Sequence, residues 1–266
     1  MRHLIVRSRN LSCAPLREIE VPYRVIYRMG SETPTAKIFK KGIPKGAKLL
    51  EINSPEACHV SGDKILMKKR FVKGRIRTAK WFTINPGDHN DERITHYLNK
   101  WDKIIAKHKH SSKGKGIYLI ESFEDFSKFK ESIKGLRQKV EDFIFERYYS
   151  YTREYRIHVT KEGCFYASRK VLINEAKDRW HRHADNSVFL SEDNPKFNKP
   201  DNWFEIVEAC VRALKSLNLD LAAFDVKVAK DGKYIILESN SAPALGELGI
   251  QRYTEILTKF INNGRF

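Results

Sequence analysis

Short apolar runs broken by glycine, proline and serine set the texture of residues 1–85. Leu4-Ile5-Val6, Val25-Ile26-Tyr27 and Leu49-Leu50-Glu51-Ile52 alternate with breaks at Gly30-Ser31 and Gly42-Ile43-Pro44, which predicts a small α/β unit. Asn85-Pro86-Gly87-Asp88 is a turn cluster and the expected end of that unit. Beyond it, strands are expected at Lys103–Lys107 and Ile117–Ile120, separated by a glycine-containing loop. A helix over about 123–140 follows, with Ser122 placed to cap it through Asp125. Phe143–Tyr149 reads as a buried strand. Further strands are expected near 154–160 and 164–173, then a polar loop to about residue 200. A helix from about 203 to 217 puts Phe204, Val207, Val211 and Leu214 on one face, toward the core. A hairpin and a last helix close the chain. The mixture is α+β or α/β, with a largely antiparallel C-terminal half.

The hairpin is the most informative stretch. Asp231-Gly232 lies between two alternating runs, Leu221 to Lys230 and Lys233 to Asn240, which is the signature of a two-residue turn. With Lys230 opposite Lys233, Asp225 falls opposite Glu238 and Ala223 opposite Asn240. Phe224, Val226, Val228, Ile235 and Leu237 would then form the core face, while Asp225, Glu238 and Asn240 share the other. Two facing carboxylates repel unless a cation lies between them. Hard oxygen donors, few of them from protein, suit Mg²⁺, which keeps waters and binds substrate phosphates. The alternative is a solvated hairpin whose acids pair with lysines such as Lys227.

Composition adds the class and a charge. The 266 residues are 41% hydrophobic and 31% charged, which describes a soluble globular chain of two or three small subdomains or one large one. No stretch approaches the ~20 apolar residues of a membrane span, and the apolar run at the N-terminus is too short for a signal peptide core. Cys13, Cys58, Cys164 and Cys210 have no CxxC spacing and read as reduced thiols of a cytoplasmic protein. The net charge of +17 favours anionic partners such as nucleotides, nucleic acid or acidic peptides, although the excess is spread along the chain.

A second constellation is Lys107-His108-Lys109-His110-Ser111-Ser112-Lys113-Gly114-Lys115-Gly116. Small residues and glycines after a strand let backbone N–H groups approach phosphate oxygens, but the spacing is neither a Walker A loop nor a dinucleotide fingerprint. A flexible hairpin tip accounts for the loop equally well. Lys107, at the end of an apolar strand, must snorkel or meet an anion.

Loop and hairpin together resemble the ATP-grasp superfamily. Asn53-Ser54-Pro55-Glu56-Ala57 followed by Asp63-Lys64 resembles that superfamily's N-S-P-x-A…D-K segment, and Lys64 and Lys107 fall at its two phosphate lysines. His110 to Gly116 resembles the mobile lid loop, implying ATP contacts from Ser111, Ser112, Gly114 and Gly116. Phe143-Ile144-Phe145-Glu146-Arg147-Tyr148 is similar to the hinge strand, whose backbone and acidic side chain receive adenine. Glu154 matches the ribose-binding acid and Arg156 the arginine beneath the phosphates. Asp225, Glu238 and Asn240 match the metal set, with Pro243 shortly after it. The resemblance implies an ATP-grasp fold of three subdomains: an N-terminal α/β unit at 1–85, a central lid at 86–142, and a hinge with an antiparallel C-terminal sheet at 143–266. ATP and Mg²⁺ are the implied cofactors.

Within the superfamily the likeness is to carboxylate–amine ligases, including ribosomal-protein glutamate ligases, and to short phage-type ATP-grasp proteins. Ala223 stands where D-alanine–D-alanine ligases carry arginine, and Pro243-Ala244 where Pro-Gly is usual, so that particular activity is not implied. The implied reaction forms an amide or peptide bond through an acyl phosphate, from a carboxylate substrate and an amine acceptor (an amino acid, a peptide or a protein tail). Arg156 and Lys170 are the expected catalytic residues. Lys170 and Arg169 alternate on a strand, so only one faces the site. Arg179, Trp180 and Arg182 suit an acidic or aromatic acceptor, or simply a solvated surface loop. His181 and His183 with Asp185 lack the fixed scaffold of a metal site. Competing classes are an ATP-grasp phosphotransferase and an ATP-dependent modifier associated with nucleic acid.

Overall fold

A computed structural model describes residues 2–111, 114–176, 179–182 and 185–264. The N-terminal part begins with a two-strand ladder, β1 (Arg2–His3) with β3 (Glu20–Val21). It continues in a parallel sheet of β2 (Ile5–Arg7), β4 (Arg24–Arg28) and β5 (Leu49–Ile52), in that order. The short helix α1 (Thr35–Ile38) lies between β4 and β5. Two helices follow, α2 (Pro55–Gly62) and α3 (Lys64–Lys73). Their starts explain the N-S-P-x-A…D-K pattern physically. Ser54 accepts the Ala57 N–H with Pro55 in the first turn, and Asp63 accepts from Ile65 and Leu66, so each helix has its orphan donors capped. Asn53 is buried at φ 60°, and its amide holds the backbone of Asp220 and Leu221.

The middle of the chain forms an antiparallel sheet. Its strands are β6 (Trp81–Thr83), β7 (Ile104–His108), β8 (Ile117–Ile120) and β9 (Phe143–Arg147), in the order β6-β9-β7-β8. Helices α4 (Asn90–Trp101) and α5 (Phe123–Gly135) cover one face. Phe82, Ile94, Trp101, Phe126, Phe129, Phe143 and Phe145 form that core. Ser122 caps α5 as expected, accepting the Asp125 N–H. Helix α4 was not anticipated, although Ile94, Tyr97, Leu98 and Trp101 carry helical spacing. The expected subdomain limit at residue 85 follows β6, which pairs with β9.

The C-terminal part is a five-stranded antiparallel sheet in the order β12-β11-β10-β13-β14. The strands are β10 (Arg153–Thr160), β11 (Gly163–Leu172), β12 (Ser187–Ser191), β13 (Leu221–Val228) and β14 (Tyr234–Asn240). Helix α6 (Trp203–Ser216) and α3 pack on one face against Tyr155, Ile157, Val159, Phe224 and Val226. Helix α7 (Glu247–Asn263) contributes Tyr253, Leu257 and Ile261 to the N-terminal core. Strand β12 lies inside the stretch read as a polar loop. No helix of the described residues is long and apolar enough to cross a membrane, and the four cysteines are free thiols.

Three expectations are corrected. Phe204 is 75% exposed, whereas Leu214 is buried and Val207 and Val211 pack against the core as expected, beside Ile206, Ala209, Cys210 and Ala213. The hairpin turn spans Lys230, Asp231 and Gly232, closed by Ala229 and Lys233 with Gly232 at φ 81°, which is a three-residue loop with glycine in the left-handed region. Val226 consequently faces Ile236, and a bulge at Leu237 restores the register so that Asp225 faces Glu238 and Ala223 faces Asn240. Tyr234 and Ile236 therefore join the core, whereas Ile235 pairs with Lys227 and Leu237 is the bulged residue.

Candidate active site

Antiparallel register lines up the polar face of the C-terminal sheet in rows. Lys170, Glu154, Lys227 and Ile235 are successive cross-strand partners; Ser168, Arg156, Asp225 and Glu238 form the next row; Tyr166, His158, Ala223 and Asn240 the one after. Charged residues at period two on β10, β11 and β13 thus converge on one surface. Asp225 is buried, and Arg156 grips it with Nε and Nη2 at 2.8 and 2.9 Å while Lys170 Nζ adds a bond at 2.7 Å. Burial disfavours its charge, but Arg156 and Lys170 outweigh that and hold the carboxyl well below the usual carboxylate range. Lys170 also donates to Glu154 at 2.9 Å, and Arg182 lies 3.6 Å from the other Glu154 oxygen. Arg169 bonds the Lys196 carbonyl instead, so Lys170 is the member of the pair on the polar face. Lys227 does not neutralise the hairpin acids. Its ammonium donates to the Tyr149 carbonyl at 3.1 Å, and burial lowers its pKa to about 8 despite Glu154.

The middle sheet supplies a second charged cluster. Glu146 on β9 is buried between Lys107 Nζ at 2.6 Å and Lys68 Nζ at 2.8 Å. Burial opposes its ionisation, yet the two lysines bring its pKa down to about 2. Where the resemblance implies a contact with adenine, both oxygens are in ion pairs. Lys68, fully buried on α3, is the residue the sequence reading passed over. It sits one helical turn after Lys64, on the same face of the helix, and also reaches Thr78 Oγ1. Lys64 lies between the β7–β8 loop and the hairpin: its ammonium donates to the Ser111 carbonyl and lies 3.9 Å from Glu238.

The expected lid loop is the β7–β8 connection. His108 N–H bonds the Gly116 carbonyl, and Gly114 and Gly116 have φ of 75° and 63°. A Cβ on Gly116 would meet those of His108 and Ser111 at 3.3 and 3.4 Å. Ser112 lies outside the described residues, as does His183 of the set-aside histidine pair. Arg147 and Tyr148 continue β9 into the link to β10, their N–H groups bonding the carbonyls of Lys80 and Lys103. Trp180 stacks near His181 and Arg179 reaches the Asn174 carbonyl. Arg182 alone of that loop trio is shown against the charged face.

In total, Lys64, Lys68, Lys107, Arg156, Lys170, Arg182 and Lys227 surround Glu146, Glu154, Asp225 and Glu238. The excess of cations over carboxylates suits a polyphosphate. As magnesium donors, Asp225, Glu238 and Asn240 are a hard oxygen set, small enough to leave positions for water and phosphate. Arg156 and Lys170 take three of the roughly four acceptor directions of Asp225, while the Glu238 side chain is 30% exposed and its recorded ion pair is a long one. The Asn240 amide nitrogen, a donor and so not itself a metal ligand, is buried without a protein partner. Among the described residues no three His, Cys, Asp or Glu cluster as ligands.

The same architecture occurs in solved structures. D-alanyl-alanine synthetase A from Vibrio cholerae aligns with TM-score 0.64 at 14% identity, over 90% of this chain and 76% of that one. The ATP-grasp ligase PsnB, complexed with a phosphomimetic variant of its minimal precursor, Mg and ADP, aligns at 0.59 and 15% over 90% and 77%. The chain has the ATP-grasp fold. Carboxyaminoimidazole ribonucleotide synthase from Aspergillus clavatus, complexed with ATP, aligns at 0.59 and 14%, over 82% of this chain and 53% of its own. No protein-family model matches the sequence, and no curated protein matches it. At these identities the fold is what is shared. The charged face of the C-terminal sheet and the Lys68–Glu146–Lys107 cluster lie within electrostatic reach of each other, since Glu238 and Glu154 both act on the Lys107 ammonium.

Proposed function

We propose that this chain is an ATP-dependent carboxylate–amine ligase, forming an amide or peptide bond through an acyl phosphate with release of ADP and phosphate. The observation that carries the reading is the buried Arg156–Asp225–Lys170 group in line with Glu238, which Lys64 approaches from α3. An ATP-grasp cleft with an excess of fixed cations supports triphosphate binding, and its carboxylates support a divalent cation. Mg²⁺ bound at Asp225, Glu238 and Asn240 would supply charge neutralisation at the phosphate oxygens.

Lys64, Lys68 and Lys107 hold the phosphates of ATP, the latter two kept in place by Glu146. Glu154 accepts from the ribose hydroxyls, and the link from β9 to β10 borders the base. A substrate carboxylate oxygen attacks the γ-phosphorus while the bond to the bridging oxygen breaks and its electrons leave with ADP. The amine then attacks the acyl carbon and loses a proton, and the carbon–oxygen bond to phosphate breaks. Arg156 and Lys170 balance charge on the transferring phosphoryl and the oxyanion, which is positioning and electrostatic work rather than covalent catalysis. The lid loop excludes water from the acyl phosphate.

The test is ADP release measured with a panel of amino acids and short peptides. Amine-dependent stimulation with amide product, abolished in Glu238→Ala without a change in unfolding, is expected. ADP release that tracks a phosphorylated alcohol product would replace ligation with phosphotransfer, and turnover at the parental rate in Glu238→Ala would remove the metal assignment.

A further inference from the structure

The basic excess, though spread along the chain, has one dense stretch. Residues 64–80 hold eight Lys and Arg and no acid. Lys64 and Lys68 turn into the candidate site. Lys69, Lys73, Arg75, Arg77 and Lys80 are exposed and Arg70 half-buried, and none of these six makes an ion pair among the described residues. Gly74 lets α6 approach, since a Cβ there would meet Ser216 Cβ at 3.0 Å. The contact brings exposed Lys215 to the same face. Acids on the packed helix are Glu205 and Glu208, and Glu205 is engaged with Tyr234.

Helix dipoles account for Arg70, Lys73 and Lys215, which sit in last turns. They do not account for the others, least of all Arg75. Helix α3 ends with the Ile76 N–H on the Phe71 carbonyl and the Arg75 N–H on the Val72 carbonyl. That motif puts its left-handed residue at Arg75, φ 53°, where glycine is usual. The neighbouring glycine, Gly74, has φ −80°. An arginine thus occupies a position where it strains the backbone, among cations that make no ion pair, although Arg77 lies over the Tyr234 ring at 4.8 Å. Val72, 60% exposed, sits among them.

We propose that this face docks an acidic polypeptide segment whose carboxylates meet the cations and whose apolar side chain covers Val72. The exposed valine favours a polypeptide over a nucleic acid, and the stretch offers no stacking platform, since its aromatic, Phe71, is buried. The inference does not depend on the ligase reading, because binding is measured without ATP.

Fluorescence anisotropy with a labelled oligoglutamate containing one central leucine, an all-glutamate peptide and a short DNA duplex tests it. The leucine-containing peptide is expected to bind. Lys73→Glu with Arg75→Glu weakens it at least tenfold, and Val72→Ser weakens it severalfold while leaving the all-glutamate peptide unaffected. Arg75→Gly should also weaken it while raising the melting temperature, which separates docking from folding. Unchanged peptide binding in the reversal variant overturns the proposal, as does duplex DNA binding more tightly than peptide and indifferent to Val72→Ser.

Discussion

Replacing Glu146 with glutamine removes the carboxylate that holds Lys68 and Lys107 together and leaves their shape almost intact. Two estimates of the cost agree. A pKa brought from 4.5 to about 2 corresponds to about 3 kcal/mol at neutral pH. Breaking a buried pair and stranding a charge costs about 3–5 kcal/mol, and Lys68 is fully buried. For a chain of this size about 2–4 °C is lost per kcal/mol, so the variant should melt roughly 6–12 °C lower at pH 7. The sign fixes the pH dependence. Because the folded-state pKa is depressed, the contribution is complete above pH 4.5 and disappears as pH falls toward 2. The gap between parent and variant in urea unfolding should therefore be constant from pH 7 to 5 and narrow below 4.5. ATP titration of the variant should show a KM for ATP at least tenfold higher, since the two lysines lose the anion that orders them. A melting point within about 2 °C of the parent at pH 7, or a gap independent of pH below 4.5, would refute the ion-pair reasoning.

His158 is buried against the Tyr253 hydroxyl at 2.9 Å, and burial, then Arg156, lowers its pKa to about 3. It stays neutral when folded and protonates when unfolded, so it costs stability as pH falls from 6.5 to 3, in all about 5 kcal/mol; His158→Gln should flatten that limb in denaturant unfolding. Gly232 at φ 81° in the hairpin loop predicts that Gly232→Ala lowers stability by about 1 kcal/mol without altering ATP affinity, measured by chemical unfolding and ligand titration.

What the sequence shows depends on how local its cause is. Ser122 and Asp125 cap a helix by themselves, and the helix start was legible. Most strands around the site were legible too, and so was the β13–β14 hairpin, since their apolar periodicity is local; the other pairings were not. Lys68 was not: its partner Glu146 lies on another sheet, and a lysine on a basic helix looks solvated until that sheet is placed. Strand β12 was hidden because Ser187–Ser191 lies on the sheet edge, with Val188 and Phe189 nearly half exposed, so it has weak burial patterning. Phe204 misled for the opposite reason, an apolar residue at the right period that the fold leaves in solvent.

The hairpin shows how a correct pairing can follow from an incorrect turn. Asp231-Gly232 implies a two-residue loop, but Gly232 takes the left-handed place of a three-residue one, shifting β14 by one position next to the turn. Left uncorrected, that shift would turn Glu238 and Asn240 into the core and put Leu237 opposite Asp225, since a one-residue slip exchanges the faces of a strand. The bulge at Leu237 reverses it. Bulges cost ladder bonds, and this one is held from outside the sheet: the Ile236 N–H donates to the Arg77 carbonyl, and its own carbonyl accepts from Thr78 Oγ1. Thr78 in turn accepts from Lys68. The strap after α3 thus fixes the irregularity that puts two proposed magnesium donors on the polar face, and links it to the lysine that grips Glu146. Local alternation could reveal which residues would share a face. Only the long-range contacts of residues 77 and 78 explain why they do so despite the turn.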